Sequence, residues 1–212
     1  MAVALVEVEG PRDLESVSLI LRREASFEEV NRGAYRELRR CANLELIYNF
    51  LGVPRRRKAK LLRRDGGLIL LFEGGGKRNA LKLLADVVKE LRIQRRSFTS
   101  LKRASLIVDA NAEKVDAIAL MLINMLKSRA RVNVSRPLRV NEYSTIEVED
   151  LLSIDLVVVQ PSLEAVLRAV SAPKDIDALI TWLSEDEHYE AFKGELLRRS
   201  SLKRLLASFT RF

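Results

Sequence analysis

Carboxylates follow two apolar segments of this sequence at the points where a strand would end. Glu9 follows segment 3–8, which is apolar apart from Glu7, and Asp109 follows the apolar segment 106–108. Ligands of open α/β sheets bind outside the carboxyl ends of the strands, so both acids have positions suited to chemistry. Two such acids at one edge would attract Mg²⁺, which prefers hard oxygen ligands. The alternative is that each acid only caps the following helix.

The elements that would position these acids alternate between strand and helix. Gly10 and Pro11 end the first strand, because proline removes a ladder donor and glycine permits unusual backbone angles. Asp13 is then an N-cap or first-turn acid of a helix over residues 14–23. Later apolar segments predict the remaining elements, namely strands over 68–72 and 154–159, helices over 77–91 and 113–127, and short edge strands within 131–149.

This alternation predicts an α/β fold with a mostly parallel sheet flanked by helices. Residues 26–52 keep helical spacing, and Ser26 with Glu29 has capping-box spacing, so we expect a helical insertion there. Residues 1–170 are predicted as the α/β domain. The pattern from residue 173 onward is helical only, which indicates a C-terminal helical appendage over 171–212.

A glycine-rich turn, Gly74-Gly75-Gly76-Lys77, follows the second long strand. It is not a Walker A site, because that motif needs glycine where Leu71 stands and serine or threonine where Arg78 stands. Free backbone N–H groups before a helix would still bind phosphate or a carboxylate. A tight turn between strand and helix explains the glycines equally well.

The order of these motifs resembles the Toprim superfamily. That superfamily includes the catalytic domains of type IA and type II topoisomerases, bacterial-type primases and OLD-family nucleases, as well as small archaeal proteins of unknown activity. The similarity is greatest to the archaeal proteins and the OLD-family domain, and it covers roughly residues 1–170. The matching motifs are, in chain order, Glu9-Gly10-x-x-Asp13, the strand and glycine turn 68–77, Asp109-x-Asn111, and residues 157–164 with Pro161, Leu163 and Glu164.

The resemblance implies a Toprim/Rossmann-like sheet and Mg²⁺-dependent cleavage or transfer of phosphodiester bonds. Glu9 would act as general acid or base or as a metal ligand, while Asp109 would bind the metal, with Glu164 as a further ligand. Asn111 stands where the family has a second acid; its carbonyl oxygen still coordinates a metal but contributes no charge. We therefore expect weak Mg²⁺ binding that Asn111→Asp strengthens.

Three functions stay open at this stage. The first is a metal-dependent nuclease or phosphotransferase acting on nucleic acid. The second is a Toprim-like binding protein without turnover, which Asn111 favours. The third is an unrelated α/β protein that binds a small phosphorylated ligand at the glycine turn. A topoisomerase is not expected, because the chain is too short for the strand-passage machinery.

Composition restricts the kinds of site and the cellular location that the protein can have. The single cysteine, Cys41, excludes an internal disulfide, and together with the single histidine, His188, it cannot form a standard zinc site. No segment has the length of a membrane helix and no signal pattern begins the chain, so we expect a cytoplasmic protein without a membrane partner. Abundant arginine and glutamate with only two glutamines is typical of heat-adapted proteins.

The net charge of +8 favours a polyanionic partner such as nucleic acid. Two basic clusters precede the second and third long strands, and we expect both at the edge of the sheet opposite the acids. Solvated basic loops are an equally good explanation. A homodimer formed through the helical insertion is a further alternative. The clusters comprise residues 55–58 with Lys60, Arg63 and Arg64, and Arg92, Arg95, Arg96, Lys102 and Arg103.

Overall fold

The structure is a computed structural model that describes residues 2–30, 42–51, 58–93, 101–135, 141–198 and 203–204. Its strands are β1 (Ala2–Val8), β2 (Glu28–Glu29), β3 (Ala59–Arg64), β4 (Gly67–Glu73), β5 (Leu101–Asp109), β6 (Val134–Ser135), β7 (Tyr143–Val148) and β8 (Leu152–Val159). Its helices are α1 (Pro11–Glu24), α2 (Ala42–Phe50), α3 (Lys77–Ile93), α4 (Val115–Met125), α5 (Leu163–Ala169), α6 (Ile176–Ser184) and α7 (Asp186–Leu197); a short π-helix (Leu126–Ala130) extends α4.

The strands form one mixed sheet in the order β2-β3-β4-β1-β5-β8-β7-β6. The four central strands, β4, β1, β5 and β8, are parallel, while the strands on both flanks pair antiparallel. The predicted α/β class with a mostly parallel sheet is therefore confirmed for the core. From β1, the chain adds β4 on one side and then β5 and β8 on the other. This reversal puts the topological switch point, where open α/β sheets form their ligand-binding crevice, between the carboxyl ends of β1 and β5.

Helices cover both faces of the sheet because the central strands are apolar on both sides. Leu5 and Leu70 point into one core, which α2, α3 and α4 close. Val6 and Leu71 point into the other core, which α1, α5, α6 and α7 close. The carboxyl ends of the parallel strands are thus held by packing on both sides, which gives the acidic side chains at that edge a rigid support.

The prediction of a helical insertion that begins at Ser26 is wrong for its first residues. Ser26 has a left-handed backbone with φ of 55°, and Glu28–Glu29 form a short strand against β3. Phe27, which the helical spacing included, is buried in the core beneath α1. The helical pattern is correct for Ala42–Phe50, whereas residues 31–41, including Cys41, lie outside the described residues.

The C-terminal helices pack onto the same core as α1. Leu179 and Leu183 of α6 and Tyr189, Phe192 and Leu196 of α7 are buried in the cluster that contains Leu14 and Leu21. The domain boundary at residues 170–171 stays a prediction, and among the described residues the core continues across it. Within the described ranges, none of the helices is both long enough and apolar enough to cross a membrane.

Candidate metal and phosphate site

Glu9 and Asp109 lie side by side at the crevice. Their strands are parallel neighbours, and the backbone N–H of Asp109 donates to Glu9 Oε1 at 2.7 Å. The backbone carbonyl of Glu9 accepts the N–H groups of Gly75 and Gly76 at 3.0 and 2.7 Å. The glutamate is therefore fixed at both its backbone and its side chain, as a residue with a chemical role requires.

Asp109 joins the turn after β5 to the turn after β8. Its Oδ1 accepts the backbone N–H of Leu163 at 2.8 Å, at the start of α5. Two backbone hydrogen bonds reinforce the connection, from Ala110 N to Val159 O at 2.9 Å and from Asn111 N to Pro161 O at 2.7 Å. Three parallel strands thus meet at these acids.

Asp13 lies in the first turn of α1, close to the acidic edge of the sheet. Its Oδ2 accepts the Gly10 N–H at 3.0 Å, so the expected first-turn cap is present, with Gly10 as the N-cap. Burial raises the pKa of Asp13 to about 7, and the nearby charges of Asp109, Glu9 and Glu164 contribute to the rise. These four carboxyl groups therefore interact electrostatically.

Glu164 stands in the first turn of α5, where Arg12 holds it. The Arg12 Nη1 group pairs with Glu164 Oε2, and Nη2 donates to the Pro173 carbonyl at 2.7 Å. The Arg12 side chain is mostly buried, and its position between Glu164 and Pro173 fixes α5 relative to α1. Glu164 is thus at the rim of the carboxylate group, close enough for its charge to raise the pKa of Asp109.

The donor set fits a hard divalent cation. Burial raises the pKa of Glu9 and of Asp109, while the positive charge of Lys77 opposes the rise in both. Among the described residues, no hydrogen bond reaches Glu9 Oε2 or Asp109 Oδ2, so each acid keeps one oxygen for a cation. A divalent ion would offset the repulsion between these charges.

The described part of the chain contains no group of three or more His, Cys, Asp or Glu side chains arranged to hold a metal ion. Magnesium commonly uses only one or two protein carboxylates and fills its other positions with water and substrate phosphates. Glu9 and Asp109 form a pair that meets this smaller requirement.

The glycine turn does not offer the free donors that the sequence predicts. The N–H of Gly74 donates to Val8 O at 2.8 Å, and those of Gly75 and Gly76 donate to Glu9 O. A Cβ on Gly74 would lie 2.5 Å from the Ala80 Cα atom. These glycines therefore let the turn pack against β1, and an anion at this position needs a different donor.

Lys77 provides a positive charge at the same place. It is the first residue of α3, and its Nζ donates to Ala110 O at 3.2 Å and to Glu113 Oε2 at 3.0 Å. Its side chain is only 11% exposed. A lysine is electrostatically disfavoured at a helix N-terminus, so its position is explained by the acids that it faces.

Asn111 is exposed and has a left-handed backbone with φ of 51°. Asparagine and aspartate are the non-glycine residues that adopt this conformation most readily. The turn therefore accounts for the residue type at this position. Its role as a metal ligand stays a prediction.

The first basic cluster lies only in part where the sequence predicts, because Arg63 and Arg64 pair with the amino end of β4, at the edge opposite the acids. Since β3 is antiparallel to β4, Lys58 is at the acidic edge, where its carbonyl accepts the Glu73 N–H at 3.2 Å. Other members of the first cluster have internal partners: Lys60 binds Glu15 and Glu29, and Arg64 binds Ala25 O. In the second cluster, Arg92 binds Ala130 O and Arg103 binds Asp155. Residues 55–57, 95 and 96 lie outside the described residues.

Sequence reasoning missed Arg12 and Glu113 as members of this site. Arg12 lies inside the Glu9-to-Asp13 motif, so its position near the acids could have been expected. Its partner Glu164 is 152 residues away in sequence, and no local pattern indicates that pairing. Glu113 follows Asp109 by four residues, and this short distance in sequence could have suggested that both acids lie at the same edge of the sheet.

The buried carboxyl group of Asp13 gives the first testable prediction. Its folded pKa is about 7 and its unfolded pKa is about 3.9, so the folded state retains a proton that the unfolded state has lost between these values. Stability should therefore fall as the pH rises from about 4 to about 7, by on the order of a few kcal/mol.

Asp13→Asn keeps an oxygen for the Gly10 N–H and stays neutral, so it should flatten this pH dependence and stabilise the protein above neutral pH. Urea unfolding on the acidic and alkaline sides of neutrality checks both forms. An unchanged pH profile in the variant would show that Asp13 does not titrate in this way.

Comparison with known proteins yields little beyond the fold. No protein-family model matches the chain, and no curated protein matches it. The chain is similar in structure to the crystal structure of the hypothetical protein PH0156 from Pyrococcus horikoshii OT3, with a TM-score of 0.54 and 16% sequence identity over 100% of this chain and 96% of that chain. At this identity the similarity shows a shared fold alone.

Proposed function

We propose that this protein is Toprim-like and cleaves or transfers phosphodiester bonds of nucleic acid with Mg²⁺. One observation carries the proposal: the Glu9 side chain accepts the Asp109 N–H where the strand order reverses. The Toprim resemblance assigns these two positions to the acid–base residue and the metal ligand. A third acid of the same motif, Asp13, interacts with both.

The roles of the residues follow from their contacts. Glu9 Oε2 and Asp109 Oδ2 would hold the ion, since their other oxygens accept backbone N–H groups. A bound Mg²⁺ would neutralise phosphate charge and activate water. Glu9 Oε2 cannot bind the ion and carry a proton at once, so where Asp109 alone holds the ion, Glu9, whose pKa burial raises, would instead exchange a proton with the attacking or leaving oxygen. Arg12 would keep Glu164 directed at the same edge.

A nuclease assay tests this function. Labelled single- and double-stranded DNA and RNA are incubated with the protein in Mg²⁺, in Mn²⁺ and in EDTA, and products are separated by length. We expect cleavage or strand transfer in the divalent metals and none in EDTA. Absence of products with every substrate, at full metal occupancy confirmed by calorimetry, would contradict catalysis.

The alternative function is a Toprim-like protein that binds nucleic acid or a phosphorylated ligand without turnover. Asn111 favours it, because the position of the family's second acid holds an uncharged and exposed side chain. Binding in the same assay without products, and with the steep salt dependence of phosphate contacts, would support this alternative.

The Asn111→Asp variant gives a second prediction. Aspartate tolerates the left-handed backbone at this position, so the fold should not change while the site gains a charge. We expect weak Mg²⁺ binding by the native protein and tighter binding by the variant, measured by calorimetric titration with Mg²⁺ and Mn²⁺. Tight native binding, or no gain from aspartate, would remove Asn111 from the metal shell.

A further inference from the structure

We propose that Lys77 forms a phosphate subsite beside the carboxylates, where its amine leaves Glu113 to bind a phosphoryl oxygen of the nucleic acid. This inference rests on the proposed function, because the subsite serves the same phosphodiester. It assigns to one side chain the role that the glycine turn cannot fulfil.

The site needs a positive donor, because the N–H groups of the glycine turn are occupied. All three glycine N–H groups donate to backbone carbonyls of Val8 and Glu9. A nucleic-acid phosphate that approaches Glu9 and Asp109 would meet several negative charges. It requires a cation in addition to any metal, because like charges repel strongly where solvent is partly excluded.

Lys77 lies beside the two acids. Its Nζ contacts the carbonyl of Ala110, the residue directly after Asp109. Its charge acts on both Glu9 and Asp109, since it lowers the pKa of each against the effect of burial. It therefore faces the same crevice that the two acids line.

Glu113 holds the Lys77 amine through an ion pair of 3.0 Å. Glu113 is 43% exposed, whereas Lys77 is 11% exposed. The partly hydrated carboxylate can separate from the amine at small cost, since water solvates the glutamate once it has separated. A phosphate oxygen can replace it as the acceptor, which makes Glu113 a competitor of the substrate.

Opposite effects of two variants test the subsite. Binding of a fluorescent single-stranded oligonucleotide is measured by anisotropy in EDTA, where the proposed reaction is halted. Lys77→Ala should weaken binding about 10-fold or more, as expected for a charge-assisted hydrogen bond. Glu113→Gln should strengthen it, and this gain should disappear when Lys77 is already alanine.

Two matched controls separate the subsite from general charge. Lys82→Ala removes a positive charge from the exposed side of α3, and Asp116→Asn removes a negative charge from the exposed side of α4. Both should change binding much less than the corresponding site variants. Equal effects of site and control variants, or a Glu113→Gln gain that persists without Lys77, would overturn the proposal.

A purely structural role for Lys77 predicts a different result. If the lysine only ties α3 to the turn after β5, both Lys77→Ala and Glu113→Gln would lower the melting temperature and shift binding in the same direction. Failure of the proposed function would give a different result. The native protein would then show no metal-dependent cleavage, while the oligonucleotide binding measurements would still test the subsite.

Discussion

Glu9→Gln should lower the rate of metal-dependent cleavage by about 10²- to 10⁴-fold, the usual contribution of a positioned acid or base. The expectation follows from the geometry. Glutamine keeps an oxygen that accepts the Asp109 N–H, which lies 2.7 Å from Glu9 Oε1 in the native protein, so the fold should stay intact while the charge and the exchangeable proton are lost. Initial rates at saturating Mg²⁺ measure the effect.

A control with the same chemical change supports the assignment. Glu187→Gln alters an exposed carboxylate at the start of α7, and it should leave the rate unchanged. Circular dichroism of both variants establishes that they are folded. Cleavage that survives Glu9→Gln would place the reaction elsewhere and remove Glu9 from the catalytic role.

Gly74→Ala should destabilise the protein by about 3 kcal/mol, near the upper end of ordinary overpacking. The added methyl group would lie 2.5 Å from both Cα and Cβ of Ala80 and 2.7 Å from Glu7 Oε1. Ala80 is buried in α3, so the clash cannot be relieved without moving the helix. That movement would disturb the neighbouring N–H groups that hold the Glu9 carbonyl, and activity should fall with stability.

Gly194→Ala is the matched control for this substitution. Gly194 lies in α7, and a methyl group added to it would meet no atom within 4 Å beyond its chain neighbours and the backbone of its own helix. Alanine favours a helix over glycine by up to about 1 kcal/mol, so the control should stabilise the protein. Chemical unfolding of the two variants checks the opposite signs, and a neutral Gly74→Ala would show that the turn can open away from α3.

The sequence alone predicted the meeting of Glu9 and Asp109 because its signals are local. An apolar segment with a terminal acid indicates a buried strand and its end, and parallel strands place such ends at one edge. The helices α1 and α3 were predicted for the same reason, since apolar spacing and turn residues lie within each segment. Asp13 was likewise recognised as a first-turn acid from its position alone.

The hairpin of β3 and β4 was missed although part of its signal was present. Asp65-Gly66 is a common hairpin turn, and Gly66 has φ of 75°. The basic residues of β3 suggested a solvated cluster. Their true environment depends on pairing with β4, which places Leu61 and Leu62 in the cores on opposite faces of the sheet, while Lys60 binds Glu15 and Glu29.

Only the tertiary structure decided which polar groups at the acidic edge have partners. The glycine N–H groups bind carbonyls of Val8 and Glu9, and Arg12 binds Glu164 across 152 residues of sequence. The sequence does not identify the hydrogen-bond partners of backbone donors and long side chains, since any donor can bind any acceptor that folding brings near. The residue types thus determined the chemistry available at this edge, and the packing of three strands and their helices determined that Lys77, rather than the glycines, faces Glu9 and Asp109.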